Sequence, residues 1–364
     1  MRWISCVAAV VLAAMAAPAS AHEGSTSYLA LDAGAGKAEV TGRFDIALID
    51  LALALPLDAD RDGRLRWAEI ESARPAIARF FGAGLRVSRG GAPCTLRFGT
   101  PWLTKRLGQT YLSLDLAADC SVAGRLAVAS TLFFDQDAYH RALISLRTPT
   151  TTFAATLSPA TRAWSEPAQA SAWRSAISFV GQGMWHVWTG YDHLVFLLLL
   201  LLPAVVPRAD SASRGRAVAL DLARIVTAFT VAHSITLGLA ATGTVRLPPQ
   251  PIEVGIAVSL VVAGVLNLVP RFGRLRLPLA FGFGLVHGFG FANALAGLDV
   301  GNAAMLPVLA GFNVGVELAN LSVIAATLPL LLWTGRFAWY APRAMPAMSL
   351  VSAALGAMWM IQRI

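Results

Sequence analysis

The chain has 364 residues, 56% of them hydrophobic and only 14% charged, with a mean hydropathy of +0.61 and a formal charge of +8. Soluble domains carry about a quarter charged residues, so a chain that faces water throughout is excluded. The positive charge is not a nucleic-acid footprint either: residues 22–175 hold 17 basic against 15 acidic residues, and no basic, aromatic-interleaved stripe runs through them.

The chain opens Met1-Arg2-Trp3, continues with an apolar run from Ile4 to Ala17, and reaches Pro18-Ala19-Ser20-Ala21. A basic start, a short apolar stretch and an Ala-x-Ala end predict a secretory signal over 1–21. Cleavage there would leave His22 as a free N-terminus whose amine and imidazole both offer metal ligands. Residues 22–150 then alternate polar and apolar side chains, as in Ala38–Ile46, Tyr111–Leu116 and Arg125–Phe134, with glycine-rich breaks between. That pattern predicts a small β-rich, sandwich-like domain outside the membrane, with a helical insertion near 67–81. Residues 151–175, rich in Thr, Ala, Ser and Pro, are expected to finish that domain or link it onward. Cys94 and Cys120 both fall in this domain, and an oxidising compartment permits a disulfide between them.

Within the outer domain, Asp58-Ala59-Asp60-Arg61-Asp62-Gly63-Arg64-Leu65-Arg66-Trp67-Ala68-Glu69 fills a twelve-residue calcium loop of EF-hand type. Asp58, Asp60, Asp62 and Glu69 stand at positions 1, 3, 5 and 12, Arg64 offers its carbonyl at 7, and glycine sits at the sharp turn. Arg66 at position 9 cannot ligate. A weak, structural calcium site is the expectation.

Six later segments are apolar enough to span a bilayer at about 20 residues each: 181–206, 218–242, 252–270, 277–298, 304–333 and 345–362. With the outer domain exported, the expected cytoplasmic loops carry Arg208, Arg214, Arg216, Arg271, Arg274, Arg276, Arg336 and Arg343, against Arg246 alone outside. The arginine asymmetry follows the positive-inside rule. It predicts a multi-pass protein of a bacterial inner (plasma) membrane, with the N-terminal domain and the C-terminus both extracytoplasmic.

Ionisable residues within a bilayer are costly and default to function. Here they are His186, Asp192 and His193 on the first span, His233 on the second, Glu253 at the mouth of the third, His287 on the fourth, and Asn313 and Glu317 on the fifth. At 1.5 Å per residue, His193, His233 and His287 come out roughly 10, 12 and 15 Å below the outer ends of their helices, with Asn313 and Glu317 at roughly 12 and 18 Å. His186 and Glu253 are expected above them as a capture pair. Imidazole, carboxylate and amide without sulfur suit nickel, cobalt or zinc. Asp221 and Arg224, three apart, are expected to pair locally. Trp185, Trp188 and Tyr191 read as an interfacial aromatic belt.

The stretch His186-Val187-Trp188-Thr189-Gly190-Tyr191-Asp192-His193 resembles the H-x-x-x-G-x-D-H signature of the HupE/UreJ family. Thr230–Leu237, Phe281–Ala292 and Gly311–Glu317 are similar to that family's second, fourth and fifth helices, in order. The likeness covers the membrane half and points to the branch with an exported domain in front. It implies nickel or cobalt uptake associated with hydrogenase and urease maturation, and carries metal handling over to His186, Asp192, His193, His233, His287 and Glu317. Val187 replaces a proline common in nickel permeases, and Ala319-Asn320 replace a usual Gly-Gln pair, which leaves the metal open.

The expected function is a secondary transporter or facilitator for a divalent transition metal. The same ligands would serve a membrane-embedded zinc-type metalloenzyme with one open coordination position, or an accessory protein of metalloenzyme assembly. Expected partners are the lipid bilayer, metal ions and a periplasmic carrier or maturation proteins. No Walker-type loop occurs, so no ATP site is expected.

Overall fold

The computed structural model describes residues 25–34, 39–106, 109–168, 172–206, 214–245, 247–269, 275–296 and 302–364. The expected signal over 1–21, the ligand His22, and Arg208, Arg246, Arg271 and Arg274 lie outside them. The described residues form a β-rich region followed by a helical one, and the chain is a multi-pass membrane protein.

The β-rich region holds two sheets. In the larger, Thr152–Leu157 (β10), Arg141–Arg147 (β9), Thr26–Asp32 (β1), Glu39–Ala47 (β2), Gln109–Asp119 (β7) and Thr95–Phe98 (β5) lie side by side. Trp102–Arg106 (β6) pairs with the other half of β7. Among the described strands, only β1 and β9 run parallel. The smaller sheet orders Ala163–Ser165 (β11), Leu126–Ser130 (β8), Leu85–Arg89 (β3) and Ala92–Pro93 (β4). Strands β10 and β11 both lie inside 151–175, so the first half of the expected linker completes the two sheets. The expected insertion is present as helices α2 (Trp67–Ser72) and α3 (Arg74–Gly84), and a short helix α1 (Leu48–Ala54) precedes it. The expected disulfide Cys94–Cys120 is formed.

Alternation explains how this region sits on the rest. Side chains along a strand point to opposite faces. Leu29, Leu31, Leu112, Leu114, Ile144 and Leu146 point into the sandwich core with Val87, Val128, Ile77 and Phe81. Their neighbours Tyr28, Tyr111, Leu143 and Ala154 point the other way, into a second cluster with Phe179, Val187, Met305, Val308 and Phe312 of the helical region. The large sheet is thus buried on both faces.

The helical region comprises α4 (Ala172–Thr189), α5 (Tyr191–Leu201), α6 (Arg214–Ala241), α7 (Pro249–Leu266), α8 (Arg276–Ala296), α9 (Asn302–Thr334) and α10 (Met345–Arg363). Among the described residues, four helices are long and apolar enough to cross a membrane, or five if the bent pair α4–α5 is one span, where six spans were expected. The first expected span, read as one continuous helix, is instead broken at Gly190 and bent by 72°. Helix α8 packs along α6, α9 along α4, and α10 along α7.

Glycine permits the closest of these contacts. A Cβ on Gly288 would run into the His233 carbonyl and Thr236 Oγ1, and one on Gly183 into the Phe312 carbonyl. Small residues let helix backbones approach, and here the approach at Gly288 carries its neighbour His287 to the helix that bears His233. The expected Asp221–Arg224 pair does not form the main contact of Asp221. Arg276 reaches it across from α8, Nη1 to Oδ2 at 3.2 Å, and also donates to the Leu200 carbonyl. Arg276 is buried, so it takes the carboxylate and a free helix-end carbonyl that a surface arginine would leave to water.

Candidate metal centre

The break at Gly190 builds the site. His186 occupies the last turn of α4, and Asp192 and His193 the first turn of α5. A Cβ at residue 190 would lie 2.8 Å from both the His186 carbonyl oxygen and His193 Nδ1. Only a glycine lets the chain turn there with the two histidines this close. Their ring centroids are 4.7 Å apart.

Three more elements converge on the break. His193 faces His287 of α8 at 5.1 Å between centroids, and His233 of α6 lies 6.4 Å from both His186 and His193. His186, His193 and His233 each offer one ring nitrogen within 4.8 Å of the others. His193, His233 and His287 are 6%, 0% and 1% exposed, so water cannot satisfy them. Phe196, Phe229 and Phe312 pack against the imidazoles. His186, expected above them at the mouth, thus belongs to the same cluster as His193 and His233.

The hydrogen bonds fix the proton on three of the four rings. Asp192 Oδ1 accepts the His193 backbone N–H at 2.9 Å and lies 3.1 Å from His193 Nδ1. A carboxylate only accepts, so Nδ1 carries the proton and Nε2 the lone pair. Asn313 Nδ2 donates to the Leu309 carbonyl, which turns its Oδ1 toward His233 Nδ1 at 3.4 Å. That nitrogen is the donor, and Nε2 is again bare. Ser259 Oγ spends its hydrogen on the Ile256 carbonyl at 2.6 Å and lies 3.2 Å from His287 Nε2. His287 must donate there, leaving Nδ1 bare. These three bare nitrogens, His193 Nε2, His233 Nε2 and His287 Nδ1, are buried and have no hydrogen-bond partner among the described residues.

Buried polar atoms are nearly always satisfied, and metal-bound histidines commonly present one nitrogen while a carboxylate or amide holds the other. His186, His193 and His233, the imidazoles within ligand reach of one another, fit a borderline divalent ion with His287 beside His193, and sulfur is absent from the set. Asp192, at the rim, faces Arg363 of α10, Oδ2 to Nη2 at 3.9 Å.

Glu317 and Glu253 stand apart from the imidazoles. Thr227 Oγ1 donates to Glu317 Oε1 at 2.6 Å. Thr227 is six residues before His233 on α6, about 9 Å along the axis, on the side away from the β-rich region. The other carboxylate oxygen, Oε2, is buried without a partner among the described residues. Glu253 touches the surroundings of the site through its backbone carbonyl, which accepts from Arg363 Nη1 at 3.0 Å. Of the aromatic trio, Trp185 meets the outer domain: Arg141 stacks over its ring at 4.2 Å and Tyr139 lies 5.6 Å away. Trp188 Nε1 donates to Ser322, and Tyr191 is exposed.

Sequence reasoning missed Ser259, Arg363 and the phenylalanine walls. Ser259 and Arg363 carried no signal, being one polar residue on an apolar helix and one arginine near a helix end. The break at Gly190 was missed as well, although a glycine between two histidines of one span is a signal that could have marked it.

The calcium-type loop brings Asp58, Asp60 and Glu69 within 4.8 Å of one another through one oxygen each. Gly63 has φ +76° and Arg61 φ +58°, the turn the pattern demands. The Asp62 backbone N–H, and after it the Arg66 guanidinium, hold the Asp60 carboxyl below its usual value. Arg66 lies on Asp60 at 2.6 Å and also grips Asp62. It thus fills the charge role that an ion would take.

A family model described as HupE / UreJ protein matches residues 163–363. No curated protein matches the chain.

Proposed function

The chain belongs to the HupE/UreJ family, and from that premise we propose that it is a secondary transporter or facilitator for a divalent transition metal. The family is associated with nickel or cobalt uptake or urease maturation, and is a transporter and accessory family rather than an enzyme family. Nickel and cobalt stand ahead of zinc on that association. One observation carries the reading: His186, His193 and His233 bring one ring nitrogen each within 4.8 Å of one another, and Asp192 and Asn313 lock His193 and His233 so that their Nε2 atoms stay buried and unsatisfied.

Transport suits this site because it is made by helix ends as well as helix faces. Broken helices whose ends meet a substrate at membrane depth recur in secondary transporters. The metal is captured from the side of the outer domain, where Asp192 and Glu253 stand, and held by imidazoles. Glu317, farther from the outer domain, offers the next oxygen ligand inward. In this reading residues 1–21 export the outer domain, the C-terminus faces outward, and the protein resides in the inner membrane. The outer domain meets a periplasmic carrier or a maturation protein, His22 adds to capture, and the 58–69 loop takes calcium weakly.

Cellular accumulation of nickel, cobalt and zinc tests the reading, with wild type compared against His193→Ala and Glu253→Ala. Accumulation of at least one metal should fall to background with His193→Ala and more modestly with Glu253→Ala. Equal accumulation of all three metals by wild type and His193→Ala would sink transport.

A further inference from the structure

The two oxygens of Asp192 have different duties. Oδ1 takes the His193 backbone N–H and faces its Nδ1. Oδ2 faces the Arg363 guanidinium at 3.9 Å. Arg363 closes α10, and its side chain is 13% exposed. Its Nη1 donates to the Glu253 carbonyl at 3.0 Å, and Gln250 Nε2 donates to the carbonyls of Arg363 and Ile364 at 3.3 and 3.0 Å. The guanidinium is thus tied to the start of α7 and suspended over the rim of the histidine cluster.

The bond lengths separate anchor from cargo. A strong arginine–carboxylate contact runs about 2.7–2.9 Å, which the pair with Asp192 exceeds. The short contact of Arg363 is to the neutral carbonyl of Glu253. An unpaired buried carboxylate costs several kcal/mol, so a cation belongs beside Asp192 when no metal is present. Arginine does not deprotonate in proteins, so this one keeps its charge whatever the pH.

We propose that Arg363 is a specificity-determining counter-cation, which holds Asp192 in the metal-free protein and yields that carboxylate only to a divalent ion. The inference rests on the histidine cluster being the metal site. A dication gains about twice the attraction to Asp192 that a monovalent cation gains at equal distance, and the imidazole nitrogens add to it. Sodium or potassium has neither advantage and is excluded by the resident positive charge.

The test is cobalt titration of the purified full-length protein in detergent, for wild type, Arg363→Gln, Arg363→Lys and Asp192→Asn/Arg363→Gln, with thermal melting of each. Arg363→Gln should bind cobalt roughly tenfold tighter, and sodium chloride should now weaken that binding more than choline chloride does. Arg363→Lys should restore wild-type affinity and insensitivity to sodium. In the Asp192→Asn background, Arg363→Gln should add nothing. Unchanged or weaker cobalt binding by a folded Arg363→Gln protein overturns the proposal while leaving the histidine site standing. Should Arg363→Gln fail to melt cooperatively, Arg363→Lys decides: sodium-sensitive binding there overturns it. Absence of cobalt binding in wild type overturns the histidine site and this inference together.

Discussion

Asp192 Oδ1 lies 3.1 Å from Nδ1 of the histidine that follows it, and the same oxygen accepts that histidine's backbone N–H at 2.9 Å. The carboxylate therefore both caps the first turn of α5 and sets the tautomer of His193. Asp192→Asn keeps the size and loses the charge, and its amide can present a donor where an acceptor is needed. Metal affinity should fall by about 10–100-fold, the range for partners that orient a ligand, while His193→Ala abolishes high-affinity binding. Isothermal titration with nickel or cobalt on the purified protein checks both.

Gly190→Ala should be far more damaging than its size suggests. The added methyl would meet the His186 carbonyl and His193 Nδ1, each at 2.8 Å, so the break must open and the two imidazoles separate. Gly288→Ala would press α8 away from α6 at the His233 carbonyl. Both variants should lose metal binding, with a destabilisation of about 1–3 kcal/mol from overpacking. Metal titration alongside thermal unfolding checks this, and wild-type affinity in either variant contradicts the close-approach account.

Both glycines show what a sequence can reveal. The H-x-x-x-G-x-D-H stretch displays its ligands in eight residues while reading as one continuous span, and the expected meeting of His193 with His233 and His287 is found at 6.4 and 5.1 Å between ring centroids. The place of His186 beside His193 rather than above it was not legible, because the count along this span assumed a straight helix and α4–α5 bends by 72°. Asp221 pairing with Arg276 rather than Arg224 is likewise a tertiary contact between helices. The β-rich domain was legible by alternation, whereas its docking was not. Strands such as β1 and β7 bury both faces, and Tyr28 and Tyr111 look like ordinary outward residues until Phe179 and Phe312 cover them.

His140 makes the outer domain sensitive to acid. It is fully buried between Ser25 and Ser27 hydroxyls, at 2.5 and 3.0 Å, and burial pushes its pKa down to about 3. Arg141 beside it acts in the same direction, and the Asp50 carboxylate at 3.7 Å is occupied by the Ser25 hydroxyl. The unfolded chain takes up a proton near pH 6.5 and the folded one does not until about pH 3. The unfolded state therefore binds more protons between those values, and stability falls as pH drops through that window. The loss is on the order of a few kcal/mol, at about 1.4 per unit. Thermal melts from pH 7 to pH 4 should show a shallower decline for His140→Gln than for wild type, and parallel curves would contradict the assignment.

Arg66 should compete with calcium for the 58–69 loop. Its guanidinium sits on Asp60 and Asp62, so an ion has to displace it. Arg66→Ser frees both carboxylates and should raise calcium affinity from a weak site, about 10⁻⁴–10⁻³ M, by tenfold or more. Calcium-dependent melting of the two proteins checks this. Equal melting with calcium and with chelator in both would dismiss the ion from the loop.

The central claim is that the buried histidines, rather than the acidic outer loop, hold the transition metal. X-ray absorption of the purified protein loaded with one equivalent of nickel or cobalt tests it most directly. The account predicts a nitrogen and oxygen shell with imidazole scattering from several histidines and no sulfur, and loss of that signal in His193→Ala. An all-oxygen shell, or a spectrum unchanged by His193→Ala, would contradict it.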